Sequence, residues 1–151
     1  MQIIGSIFMK KFIISTLLIF LFISCREESE VIYFTADELI AYCQNNMNCD
    51  KDLKKKKIEV TGKVAWISYP KDGLILDECI INLETTGCDV KKRSGSYITC
   101  KISERITNIF SGQEIKIIGL FNGHNIFFDY RYNIESHNVS LKRGKIIQVD
   151  K

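Results

Sequence analysis

Residues 58–66 read Ile58-Glu59-Val60-Thr61-Gly62-Lys63-Val64-Ala65-Trp66. Positions 58, 60, 62, 64 and 66 alternate with Glu59, Thr61, Lys63 and Ala65, the period of two that belongs to a half-buried strand. This alternation places Trp66 on the core side. Similar stretches follow. Tyr69-Pro70-Lys71-Asp72-Gly73 predicts a turn, and Leu74 to Leu83 a second strand. Thr85 to Gly95 is a polar loop carrying Lys91, Lys92 and Arg93, and Tyr97 to Ile102 is a third strand with Ile98, Cys100 and Ile102 on one side. Glu104 to Phe110 predicts a short helix. Ser111-Gly112 turns into a fourth strand, Glu114 to Phe121, and Asn122-Gly123 is a hairpin signal. Asn125 to Tyr132 is the fifth strand, with Ile126, Phe128, Tyr130 and Tyr132 as its inward set.

Five strands with a short helix between the third and fourth is the order of the OB-fold, a small Greek-key barrel. Gly62 and Gly119 inside strands suit the sharp bends of such a barrel. The expected class is therefore mainly β: a five-stranded barrel over residues 34–134 with a helix on each side of its first three strands. The tail, 135–151, is charged and weakly patterned, with one edge strand at Ile146 to Val149.

On the N-terminal side, Thr35 and Glu38 form a capping-box pair that opens a helix. Leu39, Ile40, Tyr42, Cys43 and Met47 supply its apolar stripe. Asn45, Asn46 and Asn48 are poor helix formers and mark its end.

The leader has a different character. Lys10-Lys11 precede eleven apolar residues, Phe12 to Phe22, a length that suits a signal peptide and falls short of the roughly 20 residues of a spanning helix. Translation from Met9 fits this arrangement. Phe22-Ile23-Ser24-Cys25 resembles a bacterial lipobox, in which Cys25 takes a diacylglycerol thioether. Residues 1–24 are thus expected to be cleaved and 25–33 to form a lipidated, acidic tether through Arg26-Glu27-Glu28-Ser29-Glu30. Several acyl chains hold a protein stably where one does not. The expected location is a bacterial envelope, on the outer membrane or cell surface.

The whole chain has 151 residues, one proline, 46% hydrophobic and 26% charged residues, which excludes a disordered or collagen-like chain and suits one domain. Its net charge is +3, with 21 basic and 18 acidic residues. Without Lys10 and Lys11 of the leader, 19 basic residues face the same 18 acidic ones, net +1. Overall charge gives little support for a polyanion binder.

Residues 35–121 resemble the bacterial OB-fold lipoprotein family called tRNA_anti-like. The likeness rests on Asn45, Asp50, Lys56, the run Val60-Thr61-Gly62-Lys63-Val64, the core strand Ile98-Thr99-Cys100, and Gly112-Gln113-Glu114-Ile115-Lys116-Ile117-Ile118-Gly119. Cys49 and Leu53 depart from the family pattern, as does Ile134-Glu135-Ser136, where a cysteine-containing strand end is expected. The resemblance implies the fold; the nucleic-acid binding often attached to such proteins is fold-level analogy.

No nucleophile elbow, phosphate-binding glycine loop or paired-carboxylate motif is present in the sequence, so no catalytic residue, cofactor or metal ligand is assigned and no enzyme is expected. His124, in the predicted hairpin turn, and His137, in the tail, have no Cys or His at metal spacing and read as exposed. With Cys25 lipidated, five cysteines remain. Cys100 reads as a buried thiol. Cys79 with Cys88 and Cys43 with Cys49 are the two candidate disulfides, the latter requiring the helix to break near Asn46.

The basic segments are Lys54 to Lys57, Lys91 to Arg93, and Lys142, Arg143 and Lys145, with Trp66, Tyr69, Tyr97 and Phe127 as candidate stacking surfaces. The candidate ligand surface is Lys91, Lys92, Arg93, Tyr97 and Phe127. The reading favours a membrane-anchored, non-enzymatic binding module for an envelope protein, peptide or glycan. The alternative is a nucleic-acid-binding OB domain.

Overall fold

The computed structural model describes residues 30–69, 79–92, 94–104, 106, 108–130 and 133–149. The leader with Cys25, the turn from Pro70 to Gly73, the start of the second predicted strand, Arg93 and Tyr132 lie outside the described residues.

The protein is mainly β. Six strands and two helices follow one another as β1 (Val31–Thr35), α1 (Ala36–Asn45), α2 (Cys49–Leu53), β2 (Lys57–Ser68), β3 (Cys79–Asp89), β4 (Ser94–Ile102), β5 (Glu114–Asp129) and β6 (Ile134–Val149). The pairing order is β1-β2-β3-β4-β6-β5, and β5 also pairs with β2. β2 makes both ends of that circuit. Its first half, Lys57 to Lys63, pairs antiparallel with β5, and its second half, Val64 to Ser68, pairs antiparallel with β3. β4 and β6 run parallel, whereas β3–β4 and β5–β6 are antiparallel.

α1 starts where its capping box predicts. The Glu38 amide donates to Thr35 Oγ1 at 3.2 Å, and the Thr35 amide donates to Glu38 Oε2 at 2.7 Å. The Thr35 amide, followed by the Thr35 hydroxyl, holds the Glu38 carboxyl below its usual range. The helix ends at Asn46, whose backbone is extended. The asparagine side chains take over the hydrogen bonding: Asn45 donates to the Ala41 carbonyl, and Asn46 Oδ1 accepts from the Asn48 amide. Ala36, Leu39, Ile40 and Cys43 turn inward against the sheet.

The core is built from alternate residues of the strands. Ile58, Val60 and Val64 meet Ile81, Leu83, Ile98, Cys100, Ile117, Val139 and Leu141, and all are essentially buried. Burial of each large aliphatic chain contributes about 1.5–3 kcal/mol.

Four expectations are corrected. The described residues of the segment 104–110 form no helix. The chain after it is tied to β2: the Gly112 amide donates to the Val64 carbonyl at 2.7 Å, and the Val64 amide donates to the Gln113 carbonyl at 2.8 Å. Ile106 and Ile109 pack against the core from this irregular segment.

Asn122-Gly123 does not turn the chain. β5 runs straight through it with a register shift opposite Ser140, where Gly123 has φ 134°. An Asn-Gly pair serves a bulge as readily as a hairpin, since glycine supplies the positive φ in both.

The expected inward set of the fifth strand is not inward. Ile126, Phe128 and Tyr130 are exposed, and so is Phe127 between them. Pairing of β5 with β2 stops at Leu120, and from Ile126 onward β5 has only β6 beside it, because the β6 residues opposite lie before the pairing of β6 with β4 begins.

The charged tail is β6, a sixteen-residue strand paired between β4 and β5 rather than an appendage. Its inward residues Val139 and Leu141 are buried, and Gly144 approaches Ile102 so closely that an added Cβ would lie 2.6 Å from the Ile102 Cδ1 and 3.0 Å from the Lys101 carbonyl oxygen. The polar stretch Glu135 to Asn138 before these residues and Lys142-Arg143 after them masked the strand in the sequence.

Candidate functional site

Two features adjoin at the junction of α2, β5 and β6. The first is an open cleft of about 670 Å³. Lys51 and Lys54 reach it from α2 and its C-terminus, Lys55 from the turn into β2, and Lys142 and Arg143 from β6; Asp50 is the one acidic residue in its lining. Among the described residues none of these five cations has a carboxylate at ion-pair distance.

The local backbone explains how cations from distant segments converge. Lys55 and Arg143 both have positive φ, 63° and 53°. Such left-handed conformations are uncommon for non-glycine residues and cost on the order of 1–3 kcal/mol. Lys55 turns the chain sharply out of α2, with the Lys56 amide donating back to the Leu53 carbonyl at 2.9 Å. Arg143 occupies the shift in register between Ile118 and Leu120 of β5 and their β6 partners. The Phe121 amide donates to the Lys56 carbonyl at 3.0 Å and closes the wall between the two.

The second feature is a cluster of histidines and cysteines behind that wall. Cys43, near the end of α1, and Cys49, at the start of α2, form a disulfide. The helix break at Asn46 makes this possible, as the sequence requires. The other candidate pair does not form: Cys79 and Cys88 are free, as is Cys100. His124 lies beside the disulfide, with a ring nitrogen within 4.8 Å of both sulfurs. The His124 amide donates to Asp50 Oδ1 at 2.9 Å, which anchors the strand to α2. Its ring lies nearly parallel to that of His137, with centroids 5.1 Å apart and Nε2 2.9 Å from His137 Nδ1. His137 Nε2 is 2.8 Å from Glu135 Oε1.

Hydrogen-bond logic orders this chain. A carboxylate only accepts, so His137 Nε2 donates to Glu135. A neutral His137 then accepts at Nδ1, so His124 Nε2 donates, and a neutral His124 keeps its lone pair on Nδ1. Burial, followed by the His137 ring, pulls the His124 imidazolium below the ordinary histidine range, with Asp50 opposing. The expectation of two exposed histidines is therefore corrected: His137 is 6% exposed and His124 half-buried. The two lie opposite the α1–α2 junction only because β5 continues through Asn122-Gly123 and pairs with β6.

The predicted ligand surface is placed elsewhere. Lys91 and Lys92 lie in the turn between β3 and β4, with Lys92 Nζ 3.5 Å from Asp89. Tyr97 is on β4 and Phe127 on the distal half of β5, 57% exposed. The parallel register of Tyr97 with Asn138 puts the β3–β4 and β5–β6 turns at the same end of the sheet. Trp66 is buried, 9% exposed, as the alternation expects. The strand carries a bulge between Val64 and Trp66, and the indole lies edge-on to Tyr97 with centroids 5.0 Å apart. Tyr69 is exposed, and its hydroxyl donates to the Ile106 carbonyl at 3.2 Å.

The cleft went unread in the sequence. The lysines of 54–57 and the Lys142-Arg143 pair were visible as separate basic segments, but nothing local says that β5 and β6 bring them together. No protein-family model and no curated protein sequence matches this chain.

Proposed function

We propose that the protein is a non-enzymatic binding module, held at a bacterial membrane through a lipid on Cys25, whose cation-lined cleft seats an anionic group of an envelope glycan, peptide or protein. The observation that carries this reading is the convergence of Lys51, Lys54, Lys55, Lys142 and Arg143 on one cleft without ion-pair partners among the described residues. A guanidinium with ammonium groups around it recognises carboxylate, sulfate or phosphate groups by charge-assisted hydrogen bonds. The backbone strain at Lys55 and Arg143 supports a site rather than a chance patch, because strained residues cluster where function maintains them.

The proposed architecture is an OB-fold, and the likeness to the tRNA_anti-like family is kept as part of the proposal. The circuit β2-β3-β4-β6-β5-β2, with its parallel β4–β6 step, supports it. The absence of a helix in the described residues between β4 and β5 is a departure. For the anchor, the support is the order of Lys10-Lys11, the apolar run and Ile23-Ser24-Cys25. β1 begins at Val31, next to Lys57, so only residues 26–30 separate Cys25 from the sheet. Five residues span at most about 18 Å. The cleft would thus sit near the membrane surface. No helix of the described residues is long and apolar enough to cross a membrane.

A second reading, single-stranded nucleic-acid binding, is favoured by the exposed Phe127 and the partly exposed Tyr97. Binding of labelled sulfated polysaccharide, polyglutamate and a single-stranded oligonucleotide across a salt series separates the two. The first reading expects salt-sensitive binding of the polysaccharide or the polyglutamate that Lys54→Glu with Lys142→Glu abolishes. Nanomolar oligonucleotide binding lost on Tyr97→Ala, with no binding of the other probes, would replace it by the second.

A further inference from the structure

The histidine–cystine cluster lies behind the cleft and plays no part in the reading above. Three donors of the type that bind zinc, two sulfurs and an imidazole nitrogen, lie within 4.8 Å of one another. Cys43 and Cys49 are buried, at 4% and 2% exposure, and His124 is partly open to solvent. In a tetrahedral site, Zn–S of about 2.3 Å and Zn–N of about 2.0–2.1 Å separate neighbouring donors by roughly 3.5–3.8 Å. The three residues therefore need only rotamer-scale shifts to enclose an ion. The surrounding hydrogen bonds are of the kind that orient a metal-ligating histidine: His124 donates through Nε2 to His137, and His137 donates to Glu135. That chain leaves Nδ1 of His124 as the free donor.

We propose that Cys43, Cys49 and His124 form a zinc-class divalent cation site whose availability is governed by the redox state of the Cys43–Cys49 disulfide. In the oxidised protein the sulfurs are bonded to each other and the site is closed. A dithiol reductant opens it: two electrons and two protons pass to the disulfide, giving two thiols on the protein and a disulfide on the reductant. The cation then displaces both thiol protons to solvent and binds two thiolates and the His124 nitrogen, with the fourth position left to water or a small ligand. His137 acts as a positioning residue, holding the His124 ring.

The test uses the full chain with Cys25→Ser and Cys88→Ser, which removes the leader thiol and the half-exposed one. The reduced protein, freed of dithiol under anaerobic conditions, is titrated with cobalt(II) and then zinc(II). The expected result is one cobalt per chain, with the visible d–d bands and thiolate charge transfer of a tetrahedral thiolate site, bleached by zinc, and no spectrum in the oxidised protein. His124→Ala removes the bands or moves them to a two-sulfur spectrum with weakened affinity. His137→Gln keeps the bands and weakens zinc binding by about tenfold. The proposal is overturned if the oxidised protein binds equally, if the reduced protein gives no tetrahedral spectrum, or if His124→Ala leaves spectrum and affinity unchanged while folded by circular dichroism. Loss of native circular dichroism on reduction that zinc fails to restore also overturns it.

Discussion

His124 and His137 lie with their rings nearly parallel, Nε2 to Nδ1 at 2.9 Å, on the paired strands β5 and β6. Two rings sharing one hydrogen bond cannot both be protonated without losing it, and burial of His124 adds to that cost. The folded His124 therefore titrates below the ordinary value of 6.5, which the unfolded chain keeps. Protons bind the unfolded chain first as pH falls. Stability is full above about pH 6.5 and declines as pH drops through 6.5 toward the folded value. The thermal midpoint should fall between pH 7.5 and 5.5, and His124→Gln should flatten that slope. A midpoint that rises or stays level in the wild type contradicts the pairing.

Cys100 is wholly buried among Ile81, Leu83, Ile98 and their neighbours, and burial pushes its thiol far above the usual cysteine range. Cys100→Asp places a carboxyl there without a partner, at a cost of several kcal/mol. Domains are stable by only about 5–15 kcal/mol. Circular dichroism at 25 °C should show an unfolded or much less stable chain, and a near-native melt would mean that β4 is paired in another register.

Gly144→Ala should cost about 1–3 kcal/mol by overpacking. The added methyl meets the Ile102 Cδ1, which cannot swing away because Ile102 is 1% exposed, and the Lys101 carbonyl lies on the other side. Urea unfolding measures the loss. Gly112, where an added Cβ meets nothing within 4 Å but φ is 89°, offers a contrast in which strain alone acts.

The Cys43–Cys49 bridge closes a loop of small sequence separation, 6 residues, so its entropic stabilisation is modest, about 2 kcal/mol. The double variant Cys43→Ser with Cys49→Ser should lower unfolding free energy by that order while leaving the sheet intact. A loss of several times this size would show that the disulfide organises the α1–α2 junction itself.

Cys25→Ala should leave the protein in the soluble fraction or as an unprocessed precursor when expressed in its own type of cell. Processing and membrane fractionation identical to wild type would remove the lipid anchor from the proposal.

Local signals carried much of the architecture. The capping box of Thr35 and Glu38 determined where α1 begins, and the asparagines after it determined where it ends, because both act within a single turn of chain. Alternation in 58–64 and 97–102 likewise determined β2 and β4 and the burial of Cys100, since a strand with one buried face writes its period into its residues. What needed the tertiary structure was everything set by a bulge or by a distant partner. Asn122-Gly123 carries the same glycine requirement for a hairpin and for a bulge, and only the pairing of β5 with β6 chose between them. That choice carried His124 to the Cys43–Cys49 disulfide and to His137, and it brought Lys142 and Arg143 opposite Lys54 and Lys55. Residues that share a site across some 70 positions of sequence leave no local trace, because their proximity is a property of strand order and register rather than of their neighbours in the chain.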